Sequence, residues 1–351
     1  MAAYRMPAEW EPHLATYLVW PHNRDTWPGK FEAIPAAFAR LAAAIAVFEP
    51  VRLLIEDQQE PGEVRAMISD AAAEIGGAIR PSERVELIPI ATNDSWIRDH
   101  GPIFVNRNRD SAVNQRQLAL DWVFNSWGGK YGASDLDDAV PRRLGERYGF
   151  EVVEPGIVLE GGSIDVNGAG AILTTESCLL NKNRNAGLGR DEIEDHLRTW
   201  LGVDSVLWLG DGIAGDDTDG HIDDLARFVA ADTILTVVEH DPADENYGPL
   251  RENLRGLAAM RDAAGRPFRI ETIPMPPAVF YQNTRLPASY ANFYLVNGGV
   301  VMPSFGCATD CEAAKILGRV FPGRRVIQTP SIDLIWGLGG PHCLTQQHPQ
   351  S

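Results

Sequence analysis

A unit of two apolar runs, a helix and a further strand recurs along the chain about every sixty residues. Each copy opens with a polar residue, and in two copies an Asn-Gly pair, such as Asn167-Gly168, separates the apolar runs. Asn-Gly favours the tight turn of a β-hairpin, so each unit is predicted to be ββαβ. Repetition with this period predicts an α/β protein built as a radial or stacked array.

The periodicity also predicts the bounds of individual elements. Helices are expected at 35–48, 62–79, 134–149, 190–201, 247–264 and from a capping box at 309–312 to about 320. Strands are expected at 16–20, 51–55, 151–158, 203–209, 268–273 and 325–329. The N-terminal stretch fits the repeat less well. If the array closes into a ring, the N- and C-terminal segments should complete one blade together.

No linker or low-complexity segment divides the chain, so residues 1–351 are predicted to form a single domain. A Rossmann fold would also alternate strands and helices. However, no G-x-G-x-x-G follows a strand at the start of a helix, which disfavours that alternative.

Five chemically capable residues occupy equivalent places in successive units: Asp99, Glu160, His221, Asn292 and Cys343. Equivalent places in a closed radial array converge on its axis, which predicts that two carboxylates, an imidazole, an amide and a thiol share one pocket. Coincidence remains open, because polar residues often begin hairpins.

Cys343 follows Gly337, Gly339 and Gly340, which suit unusual backbone torsions or the close approach of a ligand. A thiol after such a loop is a candidate nucleophile, although a buried structural cysteine is the alternative. Cys178, expected within an apolar strand, and Cys311, expected in the first turn of a helix, fit the structural role better, and Cys307 is ambiguous. None of the four cysteines forms a C-x-x-C pair, which argues against zinc-ribbon and thioredoxin-like sites.

His221 lies among acids in GDDTDGHIDDLARF. The calcium-loop pattern fails there, and no H-E-x-x-H is present, so neither a metal nor a cofactor is predicted. If the segment begins a strand, His221 and Asp223 point the same way and suit proton transfer beside a bound cation.

Asp99 follows Arg98 in SWIRDHGP, and Trp96 would share the side of Arg98 if the segment is extended. An Arg98–Asp99 ion pair and a core role for Trp96 are the simpler interpretations. Asp99, Asp223 and Glu160 together would form an anionic pocket, which a planar guanidinium fits well.

The formal charge of −17 disfavours nucleic acid and anionic membranes as partners and favours small cations, although it could serve solubility alone. The longest apolar run, Leu41 to Phe48, is too short to span a membrane, and no secretory leader is recognised. A cytoplasmic protein is therefore expected, and a homo-oligomer is left open.

Several motifs, in order along nearly the whole chain, resemble the agmatine deiminase and bacterial peptidylarginine deiminase family. They are MPAEWEPHLATYLVWP, SWIRDHGP, FNSWGGKY, EGGSIDVNG, LLNKNRN, DDTDGHIDDLARF and GGPHCLTQQ. The resemblance implies the pentein fold, a five-bladed α/β propeller of ββαβ units around a central site. It also implies hydrolysis of agmatine to N-carbamoylputrescine and ammonia, a step toward putrescine.

The resemblance further implies residue roles. Cys343 would attack the guanidinium carbon, Asp99 and Asp223 would hold the guanidinium, and His221 would protonate ammonia and then activate water. Glu160 would orient His221 or the substrate, and Trp96 and Asn292 are expected near the substrate.

Two positions depart from the family pattern. Asp217 replaces the usual glutamate that reads the distal amine, and the loop before Cys343 reads GLGGP instead of a GGGNI-like form. A loop acid that caps a turn is the simpler interpretation of Asp217. Other guanidino substrates, including arginine and peptidyl-arginine, stay open, as do an amidinotransferase or dimethylarginine hydrolase and a silent cation-binding propeller.

Overall fold

The predicted ββαβ repeat is present as five sheets of three or four strands in the computed structural model, which describes residues 3–75, 81–107 and 116–351. In each of these sheets an antiparallel pair is extended by a parallel strand. Adjacent antiparallel strands can be joined by a hairpin, whereas parallel strands need a crossover connection, which a helical segment supplies. The chain is therefore mixed α/β.

The chain divides into two compact units, each built from segments that are distant in sequence. The first unit comprises Met1–Glu9, Asp99–Met275 and Ser351, and the second comprises Trp10–Arg98 and Pro276–Gln350. The short helix α3 (Ile97–His100) contains the Arg98–Asp99 peptide bond, where the chain passes from one unit to the other.

The first unit contains three of the five sheets. Their strands, in sheet order, are β1 (Tyr4–Arg5), β5 (Ile103–Arg107), β6 (Gln117–Leu120) and β7 (Glu151–Val153); β10 (Ser205–Leu209), β9 (Ala171–Thr175) and β8 (Asp165–Val166); β11 (Ala226–Ala230), β12 (Thr233–Val238) and β13 (Arg269–Pro274). The helical segments of this unit are α4 (Ser126–Gly129), a single turn with left-handed φ values, α5 (Asp135–Asp138), α6 (Val140–Tyr148), α7 (Glu176–Leu179), α8 (Lys182–Asn185), α9 (Arg190–Leu201) and α10 (Tyr247–Ala259).

The turn between β8 and β9 shows how local sequence produces the hairpin. Gly168 adopts a left-handed φ of 65°, which glycine tolerates without strain. The Asn167 side-chain oxygen accepts the backbone N–H groups of Ala169 and Ala171, both at 2.9 Å. The predicted Asn-Gly turn is confirmed. Ile172, in β9, then packs in the apolar core of this unit.

The second unit contains the other two sheets and a small hairpin. Its strands are β19 (Gln346–Pro349), β2 (His13–Val19), β3 (Val51–Ile55) and β4 (Val85–Pro89); β16 (Tyr294–Val296), β17 (Gly299–Ser304) and β18 (Arg325–Pro330); and the hairpin β14 (Phe280–Tyr281) and β15 (Thr284–Arg285). Its helices are α1 (Ile34–Ala46), α2 (Pro61–Ile75) and α11 (Ala308–Val320). The alanine-rich face of α1 is almost wholly buried.

The first and last strands of the second unit join one sheet. β19 pairs antiparallel with β2, with Gln346 opposite Tyr17. The N- and C-terminal segments thus share one sheet, as predicted, whereas closure of the sheets into a ring of blades stays a prediction.

Several predicted bounds need correction. The helix predicted to begin at the 309–312 capping box begins at Ala308, because Asp310 accepts the N–H groups of Phe305 and Cys307 and thereby caps the helix start. The strand predicted at 151–158 ends at Val153. The predicted helix at 134–149 is divided into α5 and α6, with Pro141 near the start of α6. The predicted helix end at residue 79 lies outside the described residues.

Within the described ranges, no helix is both long and apolar enough to cross a bilayer.

Candidate active site

The first unit buries four predicted site residues side by side: Asp99, Glu160, His221 and Asp223, here called the acidic group. Their exposed fractions are 6%, 0%, 1% and 0% respectively. Gly162 marks their meeting point. A β-carbon at this glycine would lie 2.6 Å from His221 Nδ1, 2.8 Å from Asp99 Oδ1 and 3.2 Å from Asp223 Oδ2. Only glycine leaves room for the three side chains.

The backbone around the acidic group is made of short helical turns instead of extended strands. Gly161–Ser163 and Ile222–Asp224 form single 3-10 turns, and Asp99 lies in α3. The prediction that His221 and Asp223 begin a strand is therefore wrong, as is the extended conformation considered for Asp99. The strands β8 and β11 begin only after these turns. The tight turns let several side chains of one short segment share a small volume.

Two hydrogen bonds fix the Asp99 carboxylate. Its Oδ1 accepts the N–H of Gly162 and its Oδ2 accepts the indole N–H of Trp127, both at 2.9 Å. Burial raises the pKa of Asp99; His221 opposes that rise, the charges of Asp223 and Glu160 add to it, and the Trp127 bond opposes it. The carboxylate is thus held rigidly in surroundings that disfavour its own charge.

Trp127 reaches Asp99 from an uncommon backbone conformation. Ser126 and Trp127 have φ values of 58° and 53°, a region that residues other than glycine rarely occupy. Such strain is characteristic of functional sites. The following Gly128 accommodates Asn183, since a β-carbon there would lie 2.4 Å from its side chain.

Glu160 is paired with Arg184, the arginine of the NKNRN motif. Arg184 Nε donates to Glu160 Oε1 at 2.6 Å, and its Nη1 donates to Asp219 Oδ2 at 2.6 Å. Glu160 Oε2 has no hydrogen-bond partner within the described part of the chain. One oxygen of this carboxylate is therefore anchored while the other is left for a further donor.

His221 lies 3.8 Å from Asp99, measured from Nδ1 to Oδ1. Neither ring nitrogen has a hydrogen-bond partner among residues 3–75, 81–107 and 116–351. Burial disfavours the charged ring, but Asp99, the Cys178 sulfur and Glu160 together raise the pKa of His221 well above its ordinary value. The imidazole is suited to carry a proton and to release it to a leaving group.

Cys178 was expected in a strand but lies in the short helix α7, fully buried as the structural interpretation requires. Ligand atoms of Glu160, Cys178 and His221 lie within 4.8 Å of one another. This donor set is poorly suited to a metal. Burial raises the pKa of the Cys178 thiol, which must lose its proton to ligate, and the cationic Arg184 already neutralises Glu160.

Asp217 lies on the loop before His221. Its neighbour Asp216 caps the turn, since its carboxylate accepts the N–H groups of Thr218 and Gly220 at 2.7 and 2.9 Å. The Asp217 carboxylate instead accepts the Tyr131 hydroxyl. Burial raises the pKa of Asp217, and the Tyr131 bond opposes that rise. The turn-capping interpretation thus applies to Asp216 and not to Asp217.

The second unit holds Cys343 in residues 337–343, here called the cysteine loop. A β-carbon at Gly339 would lie 2.3 Å from Trp96 Cζ3 and 3.0 Å from Cys343 Cβ. Positive φ in this loop occurs at Leu338, at 71°, and not at its glycines. The glycines leave room for protein side chains, Trp96 among them, and none of them has an unusual torsion. The close approach of a ligand to this loop stays a prediction.

The Trp96 ring packs against the cysteine loop. It is 5% exposed, and its ring centroid lies 5.6 Å from that of Trp27. These contacts agree with the simpler, core interpretation of Trp96. A contact of Trp96 with substrate stays a prediction.

Asn292 Nδ2 lies 3.0 Å from the sulfur of Cys343. Arg98, considered as an ion-pair partner of Asp99, donates its backbone N–H to the Cys343 carbonyl oxygen at 3.2 Å and its Nε to the His342 carbonyl oxygen at 3.2 Å. Within the second unit, the predicted residues Asn292, Trp96 and Cys343 are therefore close together.

Residue-by-residue reasoning missed Trp127, Arg184 and Gly162. All three lie in segments noted for their resemblance to the deiminase family: FNSWGGKY, LLNKNRN and EGGSIDVNG. The family motifs mark these three positions, but they do not indicate which side chains the residues contact.

The model of the Porphyromonas-type peptidyl-arginine deiminase family matches residues 5–349. An agmatine deiminase of Ectopseudomonas mendocina is 38% identical, with 99% of this chain and 95% of the relative covered.

Two solved structures are similar throughout. The agmatine deiminase of Enterococcus faecalis has a TM-score of 0.89 and 31% identity, covering 99% of this chain and 96% of that one. An agmatine deiminase variant of C. jejuni with substrate bound has a TM-score of 0.87 and 32% identity, covering 99% and 97%. The chain belongs to the Porphyromonas-type peptidyl-arginine deiminase family.

Proposed function

We propose that the protein hydrolyses the guanidinium group of agmatine, giving N-carbamoylputrescine and ammonia. Relatives at 38% identity over nearly the whole chain are agmatine deiminases, which supports this substrate.

One observation carries the proposal: the acidic group buries three carboxylates around one imidazole. Buried carboxylates are costly unless they are paired. The neighbouring cations are already shared, since Arg184 bridges Glu160 and Asp219, and Arg227 bridges Glu9 and Asp165. A planar cation with several N–H donors would stabilise the group, and guanidinium is such a cation.

In the proposed reaction, Cys343 Sγ forms a bond to the guanidinium carbon while Asp99 and Asp223 hold the substrate nitrogens. The C–N bond then breaks, and His221 gives a proton to the departing ammonia. Water deprotonated by His221 attacks the resulting S-alkylthiouronium, the C–S bond breaks, and the ureido product leaves. Glu160 orients His221 or the substrate nitrogens.

The proposed reaction requires Cys343 and the acidic group to act together. We further propose that residues 1–351 act as one catalytic domain and that the five ββαβ sheets close into a five-bladed propeller around the site.

The proposed mechanism needs no metal or cofactor. The four cysteines, all within the described ranges, form no disulfide, which suits a reducing compartment such as the cytoplasm. Substrate selection is assigned to Asp217, which we propose attracts the distal ammonium of agmatine.

The test is ammonia release from agmatine, free arginine, a peptidyl arginine and methylated arginines, each with and without EDTA. We expect agmatine to have the highest kcat/KM and EDTA to leave its rate unchanged. A preference for another guanidine would replace the substrate, and restoration of an EDTA-abolished rate by a divalent ion would overturn the metal-free mechanism.

A further inference from the structure

The side chain of Asn292 makes three hydrogen bonds to two consecutive residues of the cysteine loop. Its Oδ1 accepts the backbone N–H of His342 at 3.0 Å and that of Cys343 at 3.4 Å. Its Nδ2 donates to Cys343 Sγ at 3.0 Å. The side chain is 2% exposed, so the protein and not bulk water determines its orientation.

The two backbone bonds determine which end of the amide faces the sulfur. A backbone N–H can only donate, so the atom opposite His342 and Cys343 must be the carbonyl oxygen of Asn292. The NH₂ group is then directed at Cys343 Sγ. Because an amide NH₂ can only donate, the sulfur must accept.

A sulfur that accepts this bond is stabilised more strongly as the thiolate than as the thiol. The neutral thiol is a weak acceptor, whereas hydrogen bonds to an ionised acceptor are roughly twice as strong as neutral ones. The bond therefore favours the form of Cys343 that acts as a nucleophile.

Hydrogen bonds to its backbone carbonyl oxygens also hold the cysteine loop in place, so the sulfur has a fixed position relative to the Asn292 amide. Arg98 donates to the carbonyl oxygens of both His342 and Cys343. Gly340 permits the close approach of the amide, because a β-carbon there would lie 2.5 Å from Asn292 Oδ1. Gly340 of the GLGGP segment thus leaves room for the Asn292 side chain.

We propose that Asn292 stabilises the Cys343 thiolate through its NH₂ group and is not primarily a substrate-binding residue. The importance of this bond for catalysis rests on the proposed function, in which Cys343 is the nucleophile. The bond itself can be tested without any substrate.

Asn292→Asp is the sharpest variant. Aspartate keeps the shape of the side chain and an oxygen that accepts both backbone N–H groups, but it replaces the donor facing the sulfur with an acceptor. Asn292→Ala removes all three bonds and serves as the second variant. Asn297→Ala is the matched control. In the described part of the chain, the Asn297 side chain bonds to the backbone N–H and carbonyl oxygen of His13, and its backbone N–H donates to Glu49.

The measurement is the pH dependence of iodoacetamide alkylation at Cys343, followed by mass spectrometry of the peptide that contains it. Exposed Cys311 in the same samples reports any general change in reactivity. We expect the midpoint pH to rise by about one unit in Asn292→Ala and by more in Asn292→Asp, as loss of a bond to a charged acceptor requires. Asn297→Ala should leave the midpoint unchanged.

An unchanged midpoint in folded Asn292→Asp or Asn292→Ala overturns the proposal. If KM for agmatine rises in Asn292→Ala while the midpoint stays constant, Asn292 binds substrate instead. If the wild type releases ammonia from no guanidine, the proposed function fails, and the alkylation midpoints still decide whether Asn292 stabilises the thiolate.

Discussion

The acidic group and the cysteine loop are held by different kinds of interaction. Charged side chains and their partners, such as Arg184 on Glu160 and Trp127 on Asp99, fix the acidic group. The cysteine loop is fixed by a neutral amide, by bonds to its backbone and by Trp96 packed on its glycines. Buried charge suits cation binding, whereas a nucleophile needs a defined position and an ionisable sulfur.

The largest loss of activity should come from Cys343→Ala, a substitution within the cysteine loop. Without the sulfur no covalent intermediate forms, and we expect the turnover rate to fall by at least roughly 10⁴-fold. The measurement is ammonia release from agmatine, with Cys311→Ala as the control. Substantial turnover by a folded Cys343→Ala protein would show that the two regions do not divide the work as proposed.

His221→Ala tests the acidic group. Loss of the proton donor should lower kcat by about 10²- to 10⁴-fold and leave the thiouronium adduct on Cys343. Intact-mass spectrometry after mixing with agmatine should reveal the added fragment. The exposed His240→Ala serves as the control. Rapid turnover without an adduct would remove His221 from its proposed role.

Gly162→Ala tests the packing of the acidic group without removing any of its functional groups. The new methyl would lie within 3 Å of both His221 and Asp99 and must displace them, so we expect roughly a hundredfold loss of kcat/KM. Gly187→Ala is the matched control, because nothing lies within 4 Å of its β-carbon position. Equal activity of the two variants would mean that the placement of His221 and Asp99 is not critical.

Asp217→Asn concerns selectivity and should have a smaller effect. Removing the charge should narrow the agmatine-to-arginine ratio of kcat/KM about tenfold, because the carboxylate of arginine is no longer repelled. Asp217→Glu should keep or improve the ratio. Asp211→Asn, at an exposed position, removes the same charge as a control. An unchanged ratio in Asp217→Asn would exclude Asp217 as the selectivity residue.

The last prediction concerns the stability of the second unit and not its activity. Burial, followed by the charge of Arg52 and by His13, lowers the pKa of His348 to about 3. Between about pH 6.5 and 3, His348 is protonated in the unfolded chain but neutral in the folded chain. The free energy of unfolding therefore decreases as pH falls through this range. His348→Asn should reduce this slope by up to about 1.4 kcal/mol per pH unit. Urea unfolding at several pH values measures the difference, and identical slopes would contradict it.

The sequence predicted repeating features better than singular ones. Asn167-Gly168 and the apolar runs beside it determine a hairpin locally, so the sheets could be recognised. The 3-10 turn at Ile222–Asp224 is too short to show any periodicity, so the local pattern predicts a strand where the structure has a turn. Pairing of Glu160 with Arg184, or of Asn292 with Cys343, depends on tertiary structure that local patterns do not encode.

The pairing of β19 with β2 has a consequence for synthesis on the ribosome. Tyr17 and His348, hydrogen-bonded at 3.1 Å, are 331 positions apart in the chain. At a synthesis rate of about 5–20 residues per second, the edge of β2 stays unpaired for roughly 15 to 65 seconds until its partner strand is made. An unpaired edge is a template for association with other nascent chains, so slow translation or pausing within this interval should favour aggregation. Cys343 lies three residues before β19 begins, so the cysteine loop is also among the last segments to be synthesised.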